Sequence, residues 1–270
     1  MPLDQLMHDP DPREMSFYDH LGELRRALVI SLLGIIAGTA AGFIWYKPIL
    51  AMLMSQVQGV RFVIVSPAEG FTAVLRLAIL MGLFLGLPVI LREIFWFVGP
   101  ALTRTQRLVL IPITVISYGL FVLGVIFAYT LLLPLGLTFL IGFRPPGIEP
   151  MISIDNYIGF SAMLIFSTGL MFQVPVIQLL LSLFGIVRRA QLTSQRRYVL
   201  LISFVVAAVI TPSVDVMTQS MLAGTLMLLF EIGLVLMWLA ERLRRPVQTE
   251  PPAPETPDAP RQVSVTESTD

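Results

Sequence analysis

Six runs of apolar residues, each bounded by charge, divide the chain: 27–46, 71–91, 108–143, 157–187, 198–210 and 216–240. The first four are long enough for helices that cross hydrocarbon, which takes roughly 20 residues. The fifth has 13 residues; at about 1.5 Å each they reach about 20 Å, against a hydrocarbon core of about 30 Å. Asp215 lies just before the sixth run and Glu231 interrupts it. The last two helices are therefore expected to be short and to form a hairpin that thins the bilayer locally, unless the ends of the fifth lie a few residues further out. Ahead of the first run, Phe17, Leu21, Leu24 and Leu28 recur at helical spacing and make the apolar stripe of an amphipathic lead-in helix. Pro88, Pro112, Pro134 and Pro175 fall within or near the ends of long runs. Kinks there are tolerated when neighbours satisfy the freed carbonyls, so the pattern predicts an all-α membrane protein of six helices in a curved, cupped bundle.

Composition agrees with lipid as the solvent. The chain is 56% hydrophobic and 13% charged, with a mean hydropathy of +0.81, which leaves too little polar surface to cover a water-soluble globule. Formal net charge is zero, so no bulk basicity points to nucleic acid. The absence of cysteine excludes disulfides, thiolate metal sites, iron–sulfur clusters and cysteine nucleophiles. The two histidines, His8 and His20, both precede the first run, which argues against a histidine-based metal or catalytic site. Residues 1–15 form a polar extension without the apolar core of a signal peptide; no cleaved leader is expected, and Met15 offers a second start. Residues 16–243 make up the membrane domain. In 246–270, six prolines and five acids leave too little apolar area to fold, and a disordered tail is expected.

Charge is distributed unevenly. Fourteen of the 18 basic residues lie in four regions: before the first run (Arg13, Arg25, Arg26), between the second and third (Arg92, Arg104, Arg107), between the fourth and fifth (Arg188, Arg189, Arg196, Arg197) and after the sixth (Arg242, Arg244, Arg245, Arg261). Basic residues near spans stay in the cytoplasm, so both termini are expected there, in the inner membrane. On the lead-in helix Asp19, Glu23 and Arg26 share a face, where a solvated ladder of ion pairs and a binding surface are both open readings.

Ser66-Pro67-Ala68-Glu69 reads as the start of the second helix, with serine at the N-cap and Glu69 satisfying orphan amides. Asp155 and Asp215 read as caps of the fourth and sixth helices. Gly34, Gly38 and Gly42 in the first helix, and Gly82 and Gly86 in the second, recur at four-residue spacing and predict close backbone packing. Arg76, Gln173, Gln178 and Glu231 interrupt apolar runs, so each should face a partner, a cavity or the interface, where snorkelling suffices for Arg76 and Glu231. Gln173, just before Pro175, can bond across helices or line a polar pocket.

The run Asp19-His20-Leu21-Gly22-Glu23-Leu24-Arg25-Arg26 resembles the amino-terminal signature of the TatC family. Further matches follow in order: Ser66-Pro67-Ala68-Glu69-Gly70-Phe71, Leu87-Pro88-Val89-Ile90, Phe97-Val98-Gly99-Pro100-Ala101-Leu102, Phe172-Gln173-Val174-Pro175-Val176, Thr211-Pro212 and Phe230-Glu231-Ile232-Gly233. The resemblance covers residues 16–243 and implies a receptor for the twin-arginine signal peptides of folded export substrates. It implies TatA-like and TatB-like single-span partners, leaves assembly with further copies open, and implies neither an enzyme nor a cofactor. The family's acidic contact in the amino-terminal signature carries over to Glu23. A second acid, expected in the loop after the second helix, is replaced by Gln106, which accepts a hydrogen bond but supplies no countercharge. The recognition surface it implies comprises Asp19, Glu23, Arg25, Arg26, Glu93, Phe97, Arg104 and Gln106, with Asp19 or Glu93 supporting Glu23. Gln173 matches a polar family position where a partner helix docks; Arg76, Asp215 and Glu231 complete the polar set at membrane depth.

A small-solute secondary transporter is the alternative that six helices and intramembrane polar groups also suit. It predicts paired discontinuous helices in two related halves, and the short fifth run has no counterpart in the first half. An intramembrane hydrolase would need a nucleophile with a base, or a metal motif such as His-Glu-x-x-His, which the sequence lacks.

Overall fold

The computed structural model describes residues 17–57, 60–99, 110–143, 145, 147, 149–211 and 216–243. Helix α1 (Phe17–Ile44) joins the lead-in stripe and the first apolar run without a break. Leu21, Leu24 and Leu28 stay exposed along it, so the stripe faces away from the protein rather than into it. Trp45 separates α1 from α2 (Tyr46–Met54), an element the apolar runs do not reveal. The last carbonyls of α2, which a helix end leaves without partners, are taken by tyrosines from elsewhere. The Tyr129 hydroxyl donates to Met52 O at 3.0 Å and the Tyr157 hydroxyl to Leu53 O at 2.5 Å.

Strand β1 (Arg61–Val63) precedes the long helix α3 (Glu69–Val98). Next come α4 (Leu110–Phe127), a π-helical turn (Ala128–Leu132) and α5 (Leu133–Gly142). The turn is a consequence of Pro134. Its ring would clash with the carbonyl four residues back, and the wider turn, in which the Leu133 N–H reaches Ala128 O, makes room. Strand β2 (Met151–Ser153) leads into α6 (Ile154–Met171). A break at Phe172–Gln173 then separates α6 from α7 (Val174–Leu183), whose first turn holds Pro175. Helix α8 (Arg189–Ser194), α9 (Arg196–Ile210) and α10 (Val216–Leu243) complete the described chain. The expected kinks thus occur before Pro134 and Pro175, whereas α3 continues through Pro88.

The fold is all-α, as expected, apart from one short strand pair: β1 and β2 pair in parallel, Arg61 opposite Met151, Phe62 opposite Ile152 and Val63 opposite Ser153. One expectation needs correction: the sixth helix is not short. α9, with 15 residues, reaches only about 22 Å, but α10 has 28 and reaches about 42 Å. Glu231 does not interrupt α10, because the Arg196 guanidinium at the start of α9 neutralises it at 2.7 Å. Among the described residues, five helical stretches are long and apolar enough to cross a membrane: Tyr18–Ile44, Glu69–Phe97, Leu110–Gly142, Ile154–Leu183 and Val216–Arg242.

Helix α3 packs against α1, α4 and α6, while α10 packs against α7 and α9. The α1–α3 seam runs antiparallel through the glycines. A Cβ on Gly38 would lie 2.9 Å from Gly82 O, one on Gly42 2.8 Å from Ala78 O, and one on Gly86 3.1 Å from Ile35 N, which is the close backbone approach predicted by their spacing. Only 11% of the α1 span is buried, against 61% of the span formed by α6 and α7; α1 is an outer stave and α6–α7 the centre. The main core gathers Leu77, Leu132, Leu133, Tyr157, Ile158, Leu164 and Leu222, and a second cluster joins Leu87, Phe95, Phe121 and Val176 nearer the end where α1 starts.

Candidate functional site

The start of α1 and the end of α3 meet at the face opposite the β1–β2 pair. Asp19, His20, Arg25 and Arg26 are exposed there and Glu23 is half-buried. The His20 ring stacks on the Phe97 ring in the last turn of α3, with centroids 4.3 Å apart and planes 18° from parallel. His20 Nδ1 lies 3.8 Å from Glu23 Oε2, and that oxygen is shielded from solvent with no hydrogen-bond partner among the described residues. Among the described residues no ion pair joins Asp19 or Glu23 to Arg26, so the shared face is not a closed salt-bridge ladder. Glu93, one turn before Phe97, is buried, and its Oε1 accepts from the Arg92 side chain at 3.3 Å. The structure therefore brings Glu23 and Phe97 together through His20, while Glu93 is committed to its neighbour. Arg104 and Gln106 lie outside the described residues. A partly exposed carboxylate set among exposed arginines can accept a planar guanidinium, which presents paired donors that an ammonium lacks.

Of the polar groups at membrane depth, Gln173 and Gln178 are buried and Glu231 is partly exposed. Gln173, at the break between α6 and α7, is buried against Ser117 of α4. Its Oε1 accepts from the Ser117 hydroxyl and its Nε2 donates to Ser117 O at 3.0 Å. Of its two readings, the bond across helices is the observed one. Gln178 is buried against the Gly233 backbone of α10, where any Cβ would strike its Oε1. Glu231 is tied to Arg196, both side chains partly exposed. Sequence spacing missed Ser117 and Arg196 as partners because they lie 56 and 35 residues away. Asp215 lies outside the described residues.

At the opposite end, Glu69 joins three segments. Its Oε2 accepts from Val65 N at 2.5 Å and Ser66 N at 3.2 Å, and its Oε1 from the Ser153 hydroxyl and from Asp155 N at 3.4 Å. The carboxylate thus satisfies orphan amides as expected, but α3 begins at Glu69 itself with Ala68 at the cap. The cap of α6 is Ser153, which accepts from Asn156 N, not Asp155. Asp155 instead receives Arg76, with Nη2 3.3 Å from Oδ2 and Nη1 donating to the backbone oxygen at 3.2 Å. Gly159 makes room for that guanidinium. These contacts hold α3 and α6 side by side over the strand pair.

The family described as "Sec-independent protein translocase protein (TatC)" matches residues 19–224. The chloroplastic Sec-independent protein translocase protein TATC of Oryza sativa subsp. japonica is 47% identical over 223 residues, covering 82% of this chain and 62% of the relative. The chain thus spans less than two thirds of that relative's length. The Sec-independent protein translocase protein TatC of Synechocystis sp. is 40% identical over 231 residues, covering 86% of this chain and 91% of the relative. A crystal structure of a twin arginine translocase receptor, TatC, superposes with a TM-score of 0.75 at 35% identity, covering 83% of this chain and 100% of that one. With the family pattern running from the first turn of α1 into α10, and a solved member sharing the same arrangement of helices, the chain belongs to the TatC family of Sec-independent protein translocase proteins.

Proposed function

We propose that this protein is the signal-peptide receptor and core scaffold of a twin-arginine translocase, exporting folded proteins across the cytoplasmic membrane. The observation that carries the reading is Glu23: a partly exposed carboxylate with no arginine or lysine partner among the described residues, on the end of the molecule where exposed Arg25 and Arg26 lie. In this reading six helices span the membrane, α9 in a thinned region, and both termini are cytoplasmic, as the distribution of arginines supports. Glu23 holds the arginine pair with Asp19 and Phe97 beside it, and the neutral Gln106 leaves Glu23 the larger share. TatA-like and TatB-like single-span proteins are the partners. Docking at Gln173 exchanges its bond to Ser117 for one to the incoming helix, so crosslinking from position 173 should capture a single-span protein; capture of lipid alone contradicts docking there.

The receptor reading is tested by binding of an Arg-Arg signal peptide to purified protein. A charge-assisted hydrogen bond contributes about 1.5–3 kcal/mol, so Glu23→Gln should weaken binding by roughly tenfold or more. Unchanged affinity would remove Glu23 from the site.

A further inference from the structure

We infer that His20 is a positioning residue of this surface: its ring, seated on Phe97, holds the first turns of α1 against the end of α3 and thereby fixes Glu23. The inference rests on the receptor reading and adds a residue that acts through Glu23. The glycine seam that locks α1 to α3 runs from Gly34 to Gly42, well past the turns that carry Glu23. A helix start has no hydrogen bonds behind it and frays unless side chains tie it down. The stack of His20 on Phe97, 4.3 Å between centroids, is such a tie. Glu23 lies one turn beyond His20, so whatever holds His20 orients Glu23. The distance from His20 Nδ1 to Glu23 Oε2, 3.8 Å, is too long for a hydrogen bond. It is the aromatic face of His20, not its ring nitrogen, that makes the close contact.

An aromatic pair contributes enough for a two- to twelvefold effect, roughly, on an affinity that depends on it. Measured with a fluorescent Arg-Arg signal peptide on the purified full chain, His20→Ala and Phe97→Ala should each weaken binding within that range. The double variant should be no weaker than the weaker single one, and His20→Phe should restore binding. Undiminished affinity in His20→Ala, additive losses in the double variant, or no rescue by His20→Phe would overturn the inference. A second readout needs no peptide. Because the chain has no cysteine, a nitroxide on Leu24→Cys reports the motion of this turn alone. Its spectrum should show greater mobility with His20→Ala and wild-type mobility with His20→Phe; no change with His20→Ala would refute the tie. If the label responds as expected while even the wild-type chain fails to bind the peptide, the receptor reading fails and the positioning of this turn stands.

Discussion

Gln173 and Ser117 show how a polar side chain is kept at membrane depth: both partners are buried and each atom of the amide has a bond. Removing one partner leaves the other unsatisfied, which costs more than the bond itself contributes. Ser117→Ala should therefore destabilise the protein by about 1 kcal/mol, and Gln173→Leu added to it should recover part of that loss, as read from thermal unfolding in detergent. Destabilisation that adds across the two substitutions would show that the pair is not coupled. Glu69 makes a second comparison. Its carboxylate accepts from four donors in three segments, whereas Arg76 meets Asp155 with its side chain nearly half exposed, where an ion pair contributes little. Glu69→Ala should lower the melting temperature more than Arg76→Ala, and the reverse order would contradict the role given to Glu69. At this scale the sequence was informative about which polar residues matter and silent about their partners. Ser66-Pro67-Ala68-Glu69 is a local pattern and could be read as one. Asp155 is locally indistinguishable from a helix cap, and only the approach of α3 reveals it as the counter-ion of Arg76.

Among the elements, the α1–α3 seam depends on backbone proximity. A Cβ on Gly82 would lie 2.8 Å from both Ile35 O and Thr39 N, backbone atoms that cannot yield without parting the helices. Gly119, in the exposed face of α4, has nothing within 4 Å. Gly82→Ala should destabilise by about 1–3 kcal/mol through overpacking, while Gly119→Ala should be neutral or stabilising by about 0.5–1 kcal/mol, since alanine is the better helix former. Equal effects in an unfolding assay would refute the seam. The long helices, the seam and the breaks before Pro134 and Pro175 were legible because each follows from a periodicity or a single residue type. The β1–β2 pair was not: three-residue strands 90 positions apart in the chain leave no local pattern to find. The length of α10 was misread because an isolated glutamate in an apolar run looks like an interruption until Arg196 is brought beside it.

Over the whole molecule, the strand pair, Glu69 and the tyrosine-capped end of α2 make one end of the bundle a closely bonded structure. The other end presents Glu23, His20 and Phe97 where two helix termini meet. That asymmetry suits a protein that is braced at one face and reads a ligand at the other. The Arg196–Glu231 ion pair ties the start of α9 to the middle of α10. Reversing either charge should weaken export of a twin-arginine reporter, and exchanging the two should restore part of it; no restoration would show that the residues act separately. The central claim, that the Glu23 surface reads the arginine pair, is met most directly by photocrosslinking. A photoreactive residue placed at position 19, 24 or 97 should capture an Arg-Arg signal peptide, and capture should fall sharply with a Lys-Lys peptide or with Glu23→Gln. Equal capture of both peptides, or capture that survives Glu23→Gln undiminished, would contradict it.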